Sequence, residues 1–514
     1  MCFRRGPPDR VHWKNETVMS ARNDQPTRSA HDARAIEFSV NGLANRLPAY
    51  SARKRFSLGQ RIGIGVAIVG VIAAFASKPV VAGTVAIALL TILYVGMMAL
   101  RIELAVRGRG DQRVKFTDAE IAQLDLDSLP TFSILVPAYK EPQVLSQLVA
   151  NLVALEYPRD KLQIKLLLEE DDGETIAAAM ALDLPAPFEV IIVPPVGPQT
   201  KPKALNYALL GCTGEIVCIY DAEDCPEPNQ LLKVAATFAR LGERVGCVQA
   251  ELAYFNANEN LITRWFAVEY RMWFTQFLPA LSRLNAAIPL GGTSNHMRRD
   301  LLIKLGAWDP YNVTEDADLG VRLRRCGYTV AVLDSVTHEE ANTDFVNWVK
   351  QRSRWYKGYL QTWLVHMRQP RQLIKDLGFA SFVRFNLFVG GTPILAMLNP
   401  ISWALIVLWF VLQPQFIIEI MPAPVYYAGL FGWLFGNFML YYLNLMTAYE
   451  FEEEKVFSAA LRLPFYWLMM AIAAFKALLQ LVFKPNYWEK TQHGLSSFVH
   501  EPAPVLSVTE REFA

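Results

Sequence analysis

The sequence lacks several features by which large classes of protein are identified. Its six cysteines are scattered over 514 residues without a C-x-x-C pair, which gives no sign of a zinc site or a disulfide framework. The first fifty residues contain no apolar run, so no secretory signal peptide is expected. The formal net charge is only +1, which argues against nucleic acid as an electrostatic partner. The scattered cysteines instead indicate reduced thiols in a cytoplasmic compartment.

Hydrophobic residues are abundant. They make up 52% of the chain, and the mean hydropathy is positive, which is typical of a protein that lies partly in a membrane. A chain of this length is expected to form two or three structural units. Apolar runs at residues 62–76 and 80–100 predict a transmembrane hairpin. Basic residues flank the hairpin on both outer sides, so both flanks are predicted to be cytoplasmic.

Three further apolar runs follow a more polar central part. The run at residues 382–412 predicts one kinked span or two short ones, because Asn399 and Pro400 interrupt it. The run at 424–445 predicts a clear span, although it contains Asn437 and Asn444, amides that face the helix bundle or a polar pathway at such depth. For residues 463–483 a span and an interfacial position both stay open. We prefer the interfacial position, because it leaves the following segment on the cytoplasmic side.

These runs divide the chain into five expected parts. They are a disordered cytoplasmic arm (1–55), a transmembrane hairpin (56–105), a soluble α/β domain (125–370), interfacial and transmembrane helices (371–484), and a cytoplasmic tail (485–514).

The soluble domain is organised around one buried strand that ends in acids. Residues 216–220 are apolar or aromatic, and Asp221, Glu223 and Asp224 follow them directly. In a parallel α/β sheet, ligands bind at the carboxyl ends of the strands. Carboxylates this close together repel unless a cation lies among them, and a hard divalent cation would take its other ligands from water and phosphate. The alternative is a solvated acidic turn.

Strand and helix patterns alternate through the rest of this domain. The alternation predicts a parallel, doubly wound sheet. A second strand also ends in acids, Asp171 and Asp172, which are expected to face the same crevice as Asp221. A short helix is predicted to start at Lys201. The remaining strands are predicted at residues 132–139, 163–168 and 189–193.

Two later motifs add polar groups to the soluble domain. Residues 291–296, Gly-Gly-Thr-Ser-Asn-His, predict a turn where the backbone can approach a ligand closely. Glu315 and Asp316 follow Thr314 at a predicted helix start. Simple capping of that helix is the alternative role for the two acids.

A third motif lies on the last helix of the domain. Gln351, Arg354 and Trp355 are spaced i, i+3 and i+4, which places them on one face. The alternative is an amphipathic helix at the membrane surface. Taken with the acids, this face suits transfer from a nucleotide sugar, because a diphosphate leaving group needs a metal and cations. An acceptor hydroxyl needs a carboxylate base, and an aromatic face can hold a sugar ring.

The ordered set of motifs resembles that of the membrane-embedded, processive family 2 glycosyltransferases, which include cellulose, curdlan, chitin and hyaluronan synthases. The resemblance covers about residues 131–491. It implies an α/β, GT-A-type (Rossmann-like) catalytic domain on the cytoplasmic side of the plasma membrane, inserted between the transmembrane helices of a multi-pass protein. It rests on Asp171-Asp172, Lys201, Asp221-Ala-Glu223, Thr314-Glu-Asp316 and Gln351-Arg-Ser-Arg354-Trp355.

The resemblance also implies roles for individual residues. Asp316 would be the catalytic base, with Glu315 beside it, and Asp221 would hold Mg²⁺ or Mn²⁺ together with Glu223 or Asp224. Trp488, Lys490 and Thr491 stand where cellulose synthases carry a gating loop. Donor contacts are assigned to Pro137, Tyr139, Glu141, Asp171, Asp172, Lys201, Asp221, Gln351 and Arg354. Acceptor contacts are assigned to Trp355, Gly292, Thr293, Ser294, Asn295 and His296.

The activity implied is inverting, processive transfer of glucose from UDP-glucose to the non-reducing end of a growing β-glucan, with export between the helices. The turn at residues 291–296 resembles that of β-1,3 or mixed-linkage glucan synthases more than that of cellulose synthases. The expected partners are a UDP-sugar, the polysaccharide, the bilayer and accessory export or regulatory proteins. Two alternatives are a non-processive transferase that glycosylates a membrane lipid and, more remotely, a transporter with a nucleotide-sensing domain.

Overall fold

A computed structural model of the chain describes residues 28–108, 110, 112–492, 494 and 496. In these residues a mixed sheet with helices packed on it lies between two groups of long apolar helices. The four strands predicted from the sequence are all present, within one or two residues of the predicted bounds. The strands are β1 (Phe132–Ala138), β2 (Leu162–Glu169), β3 (Phe188–Val193), β4 (Ile216–Ile219), β5 (Cys225–Pro226), β6 (Val245–Tyr254), β7 (Asn295–Arg298) and β8 (Thr329–Glu339).

The strand order is β3-β2-β1-β4-β7-β6-β8-β5. β1 pairs in parallel with β2 and β4, and β2 pairs in parallel with β3, as predicted. The expectation of a wholly parallel sheet is wrong, because β7 is antiparallel to both β4 and β6. The turn before β7 reverses the chain, so that the start of β7 lies beside the end of β4, with Asn295 opposite Ile219.

Helices surround the sheet in the soluble domain. They cover both faces of β1, β2 and β4, whose side chains are almost all buried. The helices are α4 (Asp118–Ala122), α5 (Leu145–Val153), α6 (Gly173–Ala181), α7 (Lys201–Leu209), α8 (Gln230–Leu241), α9 (Leu261–Met272), α10 (Leu278–Arg283), α11 (Arg299–Lys304), α12 (Glu315–Arg325) and α13 (Phe345–His366).

The flanking helices lie before and after this domain. A π-helical segment, Asn386–Gly390, joins α15 to α16 without a break. The helices are α1 (Arg28–Arg46), α2 (Leu58–Ser77), α3 (Pro79–Gly108), α14 (Pro370–Leu377), α15 (Phe379–Phe385), α16 (Gly391–Val411), α17 (Gln415–Ile420), α18 (Ala423–Tyr449), α19 (Glu454–Ala460) and α20 (Leu463–Phe483).

The expected disordered arm is partly a helix. Residues 1–27 lie outside the described residues, but Arg28–Arg46 forms α1, so the prediction of disorder is wrong there. Ala35, Ser39 and Leu43 are buried and recur every four residues, which is the spacing of one helix face. This face packs on α7, where Asn206 Nδ2 donates to Ser39 O at 3.4 Å.

Among the residues that the structure describes, four helices are long and apolar enough to cross a membrane. They are Leu58–Ser77, Pro79–Gly108, Phe379–Val411 and Leu463–Phe483. The predicted span at 424–445 is a single helix, α18, but it is not among these four. Its amides, glycines and tyrosines lower its mean hydropathy.

Helix α20 packs along the length of α13. Near the start of α20, the rings of Tyr466 and Trp348 lie 5.2 Å apart. Near the end of α20, Leu481 packs against Leu360 and Leu364. Just beyond its end, Gln361 Nε2 donates to Pro485 O at 2.9 Å. Both ends of α20 therefore contact the soluble domain. Because α20 is also long and apolar enough for a span, its interfacial position stays a prediction.

Gly320 sets the position of α12. A Cβ at this position would lie closer than 3.0 Å to the Ile288 carbonyl oxygen, a contact that real Cβ atoms do not make. We expect Gly320→Ala to lower the free energy of unfolding by about 1–3 kcal/mol, because overpacking outweighs the better helix propensity of alanine. Thermal unfolding of the purified chain measures this change. The matched control is Gly63→Ala in α2, where nothing lies within 4 Å of the added carbon, and an equal effect there would contradict the packing explanation.

Candidate active site

The carboxyl ends of the parallel strands meet at one edge of the sheet. Tyr139 follows β1, Glu169 ends β2 and Asp221 lies two residues beyond β4. Because β7 is antiparallel, the turn that precedes it brings Gly292 and Thr293 to the same edge. A cavity of about 460 Å³ opens here, and all five residues line it.

Lys201 lies at the centre of this edge. Its Nζ forms an ion pair with Asp221 Oδ1 and donates to Gly292 O at 2.8 Å. A Cβ at Gly292 would lie 3.5 Å from Asp316 Oδ2 and 4.0 Å from Lys201 Nζ. The two acids that the sequence places 95 positions apart, Asp221 and Asp316, thus lie around one ammonium group at the glycine turn.

The protonation of these groups reflects their burial. Burial lowers the pKa of Lys201, but Asp221, Glu315 and Asp224 outweigh it, so the net shift is upward and the lysine stays charged. Burial raises the pKa of Glu315, and the neighbouring Asp316 raises it further. Burial also raises the pKa of Asp316, against the opposing effects of the Ala317 backbone N–H and the cations Lys201 and Arg354. A carboxylate with a raised pKa is a better proton acceptor than an ordinary aspartate.

The metal motif divides into two kinds of acid. Asp221 and Glu223 line the cavity, whereas Asp224 is fully buried behind it, where it accepts hydrogen bonds from Asp221 N at 2.7 Å and from Thr293 Oγ1. Among the described residues, no group of three or more His, Cys, Asp or Glu side chains could hold a metal alone. The two cavity carboxylates fit a cation that takes its remaining ligands from water and a diphosphate. Of the two alternatives for the second ligand, the geometry favours Glu223.

Helix α13 carries the third predicted motif into the cavity. Gln351, Arg354 and Trp355 all line it, as their spacing on one face predicts. Helix α13 packs closely against the start of α12, which brings these residues next to the acids. A Cβ at Gly358 would lie closer than 3.0 Å to the side chain of Thr314.

The segment after α20 covers the cavity. Trp488, Lys490 and Thr491 line it, the Lys490 ammonium lies over the Tyr139 ring, and the Arg354 guanidinium lies 4.9 Å from the centre of the Trp488 ring. Glu489 holds this segment down, since it accepts hydrogen bonds from Lys476 at 2.8 Å and Gln480 at 2.7 Å. The residues predicted as a gating motif therefore bridge the two sides of the cavity.

The cavity continues between the flanking helices. Asn437 and Asn444 of α18 line it, as their depth in an apolar run predicts, and so does Asn399 of α16. Trp467 and Met470 of α20 form part of the opposite wall. One continuous space thus runs from Asp316 into the helix bundle.

Several predicted site residues do not line the cavity. Ser294, Asn295 and His296 are buried at and within β7, because this strand lies between β4 and β6. Burial lowers the pKa of His296 to about 4, so the imidazole is neutral. Asp171 accepts a hydrogen bond from Gln199 at 3.2 Å, and buried Asp172 caps α6. Of the predicted turn, Gly291, Gly292 and Thr293 line the cavity.

Two acidic residues at the cavity were not predicted as site residues from the sequence. Glu169 lines it and forms a 3.1 Å ion pair with the buried Lys203. Glu269 of α9 also lines the cavity. It forms a bidentate ion pair with Arg352, which helps to fix the position of α13. Glu169 is the first of four consecutive acids at the end of β2, of which only Asp171 and Asp172 were given a role, whereas nothing in the sequence pairs Glu269 with Arg352.

Similarity to known proteins agrees with this site. Residues 130–358 match the family described as "Glycosyltransferase like family 2". This match, together with the sheet and its ligand edge, gives the domain the expected GT-A-type fold. In this part the chain is therefore similar to family 2 glycosyltransferases.

Individual relatives are similar over about half of the chain. A probable glycosyltransferase of Bacillus subtilis, YdaM, is 29% identical over 52% of this chain and 65% of its own length. A beta-monoglucosyldiacylglycerol synthase of Trichormus variabilis is 31% identical over 55% of this chain and 60% of its own length. The chain thus spans less than two thirds of these relatives. Among solved structures, a mannosyltransferase of Pyrobaculum calidifontis in complex with GDP-Man and Mn²⁺ is 17% identical, covers 77% of this chain and 98% of its own, and has a TM-score of 0.43.

The hydrogen bonds of Glu489 predict how the covering segment is held. We expect Glu489→Gln to speed hydrogen exchange in residues 485–492, because loss of the negative charge weakens its bonds to Lys476 and Gln480. Hydrogen–deuterium exchange of the full chain measures this. Glu454→Gln, an exposed acid at the start of α19, is the matched control. Unchanged exchange in the Glu489 variant would show that other contacts hold the segment.

Proposed function

We propose that this chain is a membrane-embedded glycosyltransferase. It transfers a hexosyl group, with inversion, from a nucleoside diphosphate sugar to a hydroxyl of an acceptor that lies between the flanking helices. The catalytic domain and the N-terminus lie on the cytoplasmic side of the plasma membrane. The observation that carries this proposal is the meeting of Asp316, Lys201 and Asp221 at Gly292, where the cavity turns toward the helices.

The donor occupies the edge formed by the parallel strands. Pro137 near the end of β1 lines the cavity together with Tyr139 and Glu141 beyond it, and these three residues suit the nucleoside. Lys201 and Arg354 supply the cations that a departing diphosphate requires. A divalent cation bound by Asp221 and Glu223 would supply further charge neutralisation for the leaving group.

Asp316 is the proposed base. Asp316 lines the cavity, and Glu315 next to it is the more deeply buried of the two acids. Asp316 accepts the proton of the acceptor hydroxyl as the hydroxyl oxygen attacks the anomeric carbon. Trp355 provides the aromatic surface against which the terminal sugar of the acceptor lies.

A growing polysaccharide is the acceptor that the lining favours. The amides Asn399, Asn437 and Asn444 continue along the part of the cavity between the helices. Asn437 and Asn444 donate to the carbonyls of Trp433 and Leu440 at 2.8 Å, so their side-chain oxygens are turned to other partners. The buried Asn399 Oδ1 accepts no hydrogen bond in the described residues, and sugar hydroxyls can donate to such amide oxygens. Trp467 adds an aromatic surface at the same level.

A membrane glycolipid is the second candidate product. The similarity to a beta-monoglucosyldiacylglycerol synthase favours it, and so do the apolar side chains of Phe388, Leu395 and Met470 in the same lining. The donor sugar UDP-glucose and a β-1,3 or mixed linkage stay predictions from the sequence. The residues on which the linkage was based lie largely inside the sheet, so the cavity does not add to that prediction.

Replacement of the proposed base tests the chemistry. We expect Asp316→Asn to lower the release of nucleoside diphosphate by about 10²–10⁴-fold while donor binding is largely kept, because the amide cannot accept the proton. Asp300→Asn, whose side chain is 91% exposed on α11, is the matched control. In the unsubstituted chain, release should rise from acid to neutral pH, since the raised pKa keeps Asp316 protonated in acid. Normal turnover in the Asp316 variant would remove this residue from the mechanism.

Removal of divalent cations tests the carboxylate pair. With excess EDTA we expect transfer to stop and to return on addition of Mg²⁺ or Mn²⁺. Without the cation, the carboxylates of Asp221 and Glu223 cannot compensate the negative charge of the diphosphate. A Glu223→Gln variant should need more metal for half-maximal activity. Full activity in EDTA would contradict the metal assignment.

The product distinguishes the two acceptors. Membranes that contain the chain are given labelled UDP-sugars and extracted with organic solvent. A polysaccharide remains outside the organic phase and is degraded by linkage-specific hydrolases, whereas a glycolipid enters the organic phase. We expect Asn437→Leu to shorten the polymer with little effect on early nucleoside diphosphate release, since Asn437 lies along the exit path. Label found only in the organic phase would establish the glycolipid instead.

A further inference from the structure

A second cavity lies apart from the catalytic one. Its volume is about 400 Å³, and it shares no lining residue with the first. Four of its lining side chains are cations from the segment that precedes α2, or from the first turn of α2. The lining residues are Arg53, Lys54, Arg55, Phe56, Arg61, Pro485 and Asn486.

The positive charge of this cavity is not balanced by ion pairs within the described part of the chain. Among the described residues, no carboxylate forms a salt bridge with any of the four cations. Their bonding partners are neutral: Arg53 donates to Asn41 Oδ1 at 3.0 Å, and Arg55 donates to the carbonyls of Leu481 and Val482. Lys54 and Arg61 are exposed, so their ammonium and guanidinium groups are available to an anion.

The cavity lies at the start of a helix that is long and apolar enough to cross a membrane. Helix α2 begins at Leu58, directly after Phe56, and none of its residues is buried within the protein. Large apolar side chains at its start, such as Leu58 and Ile62, are exposed. The cations therefore lie at the end of a lipid-facing helix, where the phosphates of a bilayer are found.

We propose that this cavity binds the phosphate headgroup of an anionic phospholipid. Lys54 and Arg61 contact the phosphate oxygens, and Phe56 supplies an apolar wall next to the acyl chains. The bound headgroup also contacts Pro485 and Asn486, which precede the segment that covers the catalytic cavity. This site goes beyond the proposed transfer reaction and does not depend on it.

Lipid retention by the full chain tests the site. The chain is placed in bilayer discs with equal amounts of phosphatidylglycerol and phosphatidylcholine, and retained lipid is measured by native mass spectrometry. We expect retention of phosphatidylglycerol over phosphatidylcholine. The double variant K54Q/R61Q should lower this retention about tenfold or more, because each surface cation contributes to the attraction of an anionic lipid. Thermal unfolding confirms that the variant is folded.

The control variant is R462Q, which removes an exposed cation at the opposite end of α20. Equal retention of the two lipids by the unsubstituted chain would overturn the proposal. So would a K54Q/R61Q variant that retains as much phosphatidylglycerol as R462Q. Displacement of the lipid by inorganic phosphate alone would show a site for free phosphate instead. None of these outcomes depends on glycosyl transfer, so failure here is distinguishable from failure of the proposed function.

Discussion

The candidate site depends on one buried ammonium group. Lys201 lies among acids from two separate parts of the chain: Asp221 and Asp224 after β4, and Glu315 at the start of α12. Without a cation, carboxylates this close in a low-dielectric pocket would repel each other or take up protons. The lysine therefore allows the strand ends and the helix start to share one cavity before any ligand binds.

Helix α13 connects this charged site to the membrane part. One face places Arg354 and Trp355 in the cavity, and the packing at Gly358 brings the helix against the start of α12. Another part of its surface supports α20 along its whole length. Because the same helix contacts the catalytic acids and the bundle, the cavity can continue from one into the other without a gap.

Sequence reasoning identified the site residues best where they follow buried strands or share a helix face. Asp221 was found because the run at 216–220 ends abruptly in acids, and Gln351, Arg354 and Trp355 because their spacing is helical. The prediction of acceptor contacts failed for Ser294–His296. The glycine-rich turn there is followed directly by β7, a strand that has no clear pattern in the sequence. Sequence reasoning also failed for α1, whose buried face is made of small residues and one serine among many charges.

The amino-acid sequence by itself determined the first four strands, most of the helices that are apolar enough for a membrane, and which residue types could do the chemistry. These are local properties, set by side-chain periodicity and by the residues that end each element. Only the tertiary structure decided that β7 runs antiparallel, that Glu223 rather than Asp224 faces the cavity, and that Glu269 supports Arg352. Each of these depends on contacts between residues distant in the chain, which periodicity does not record.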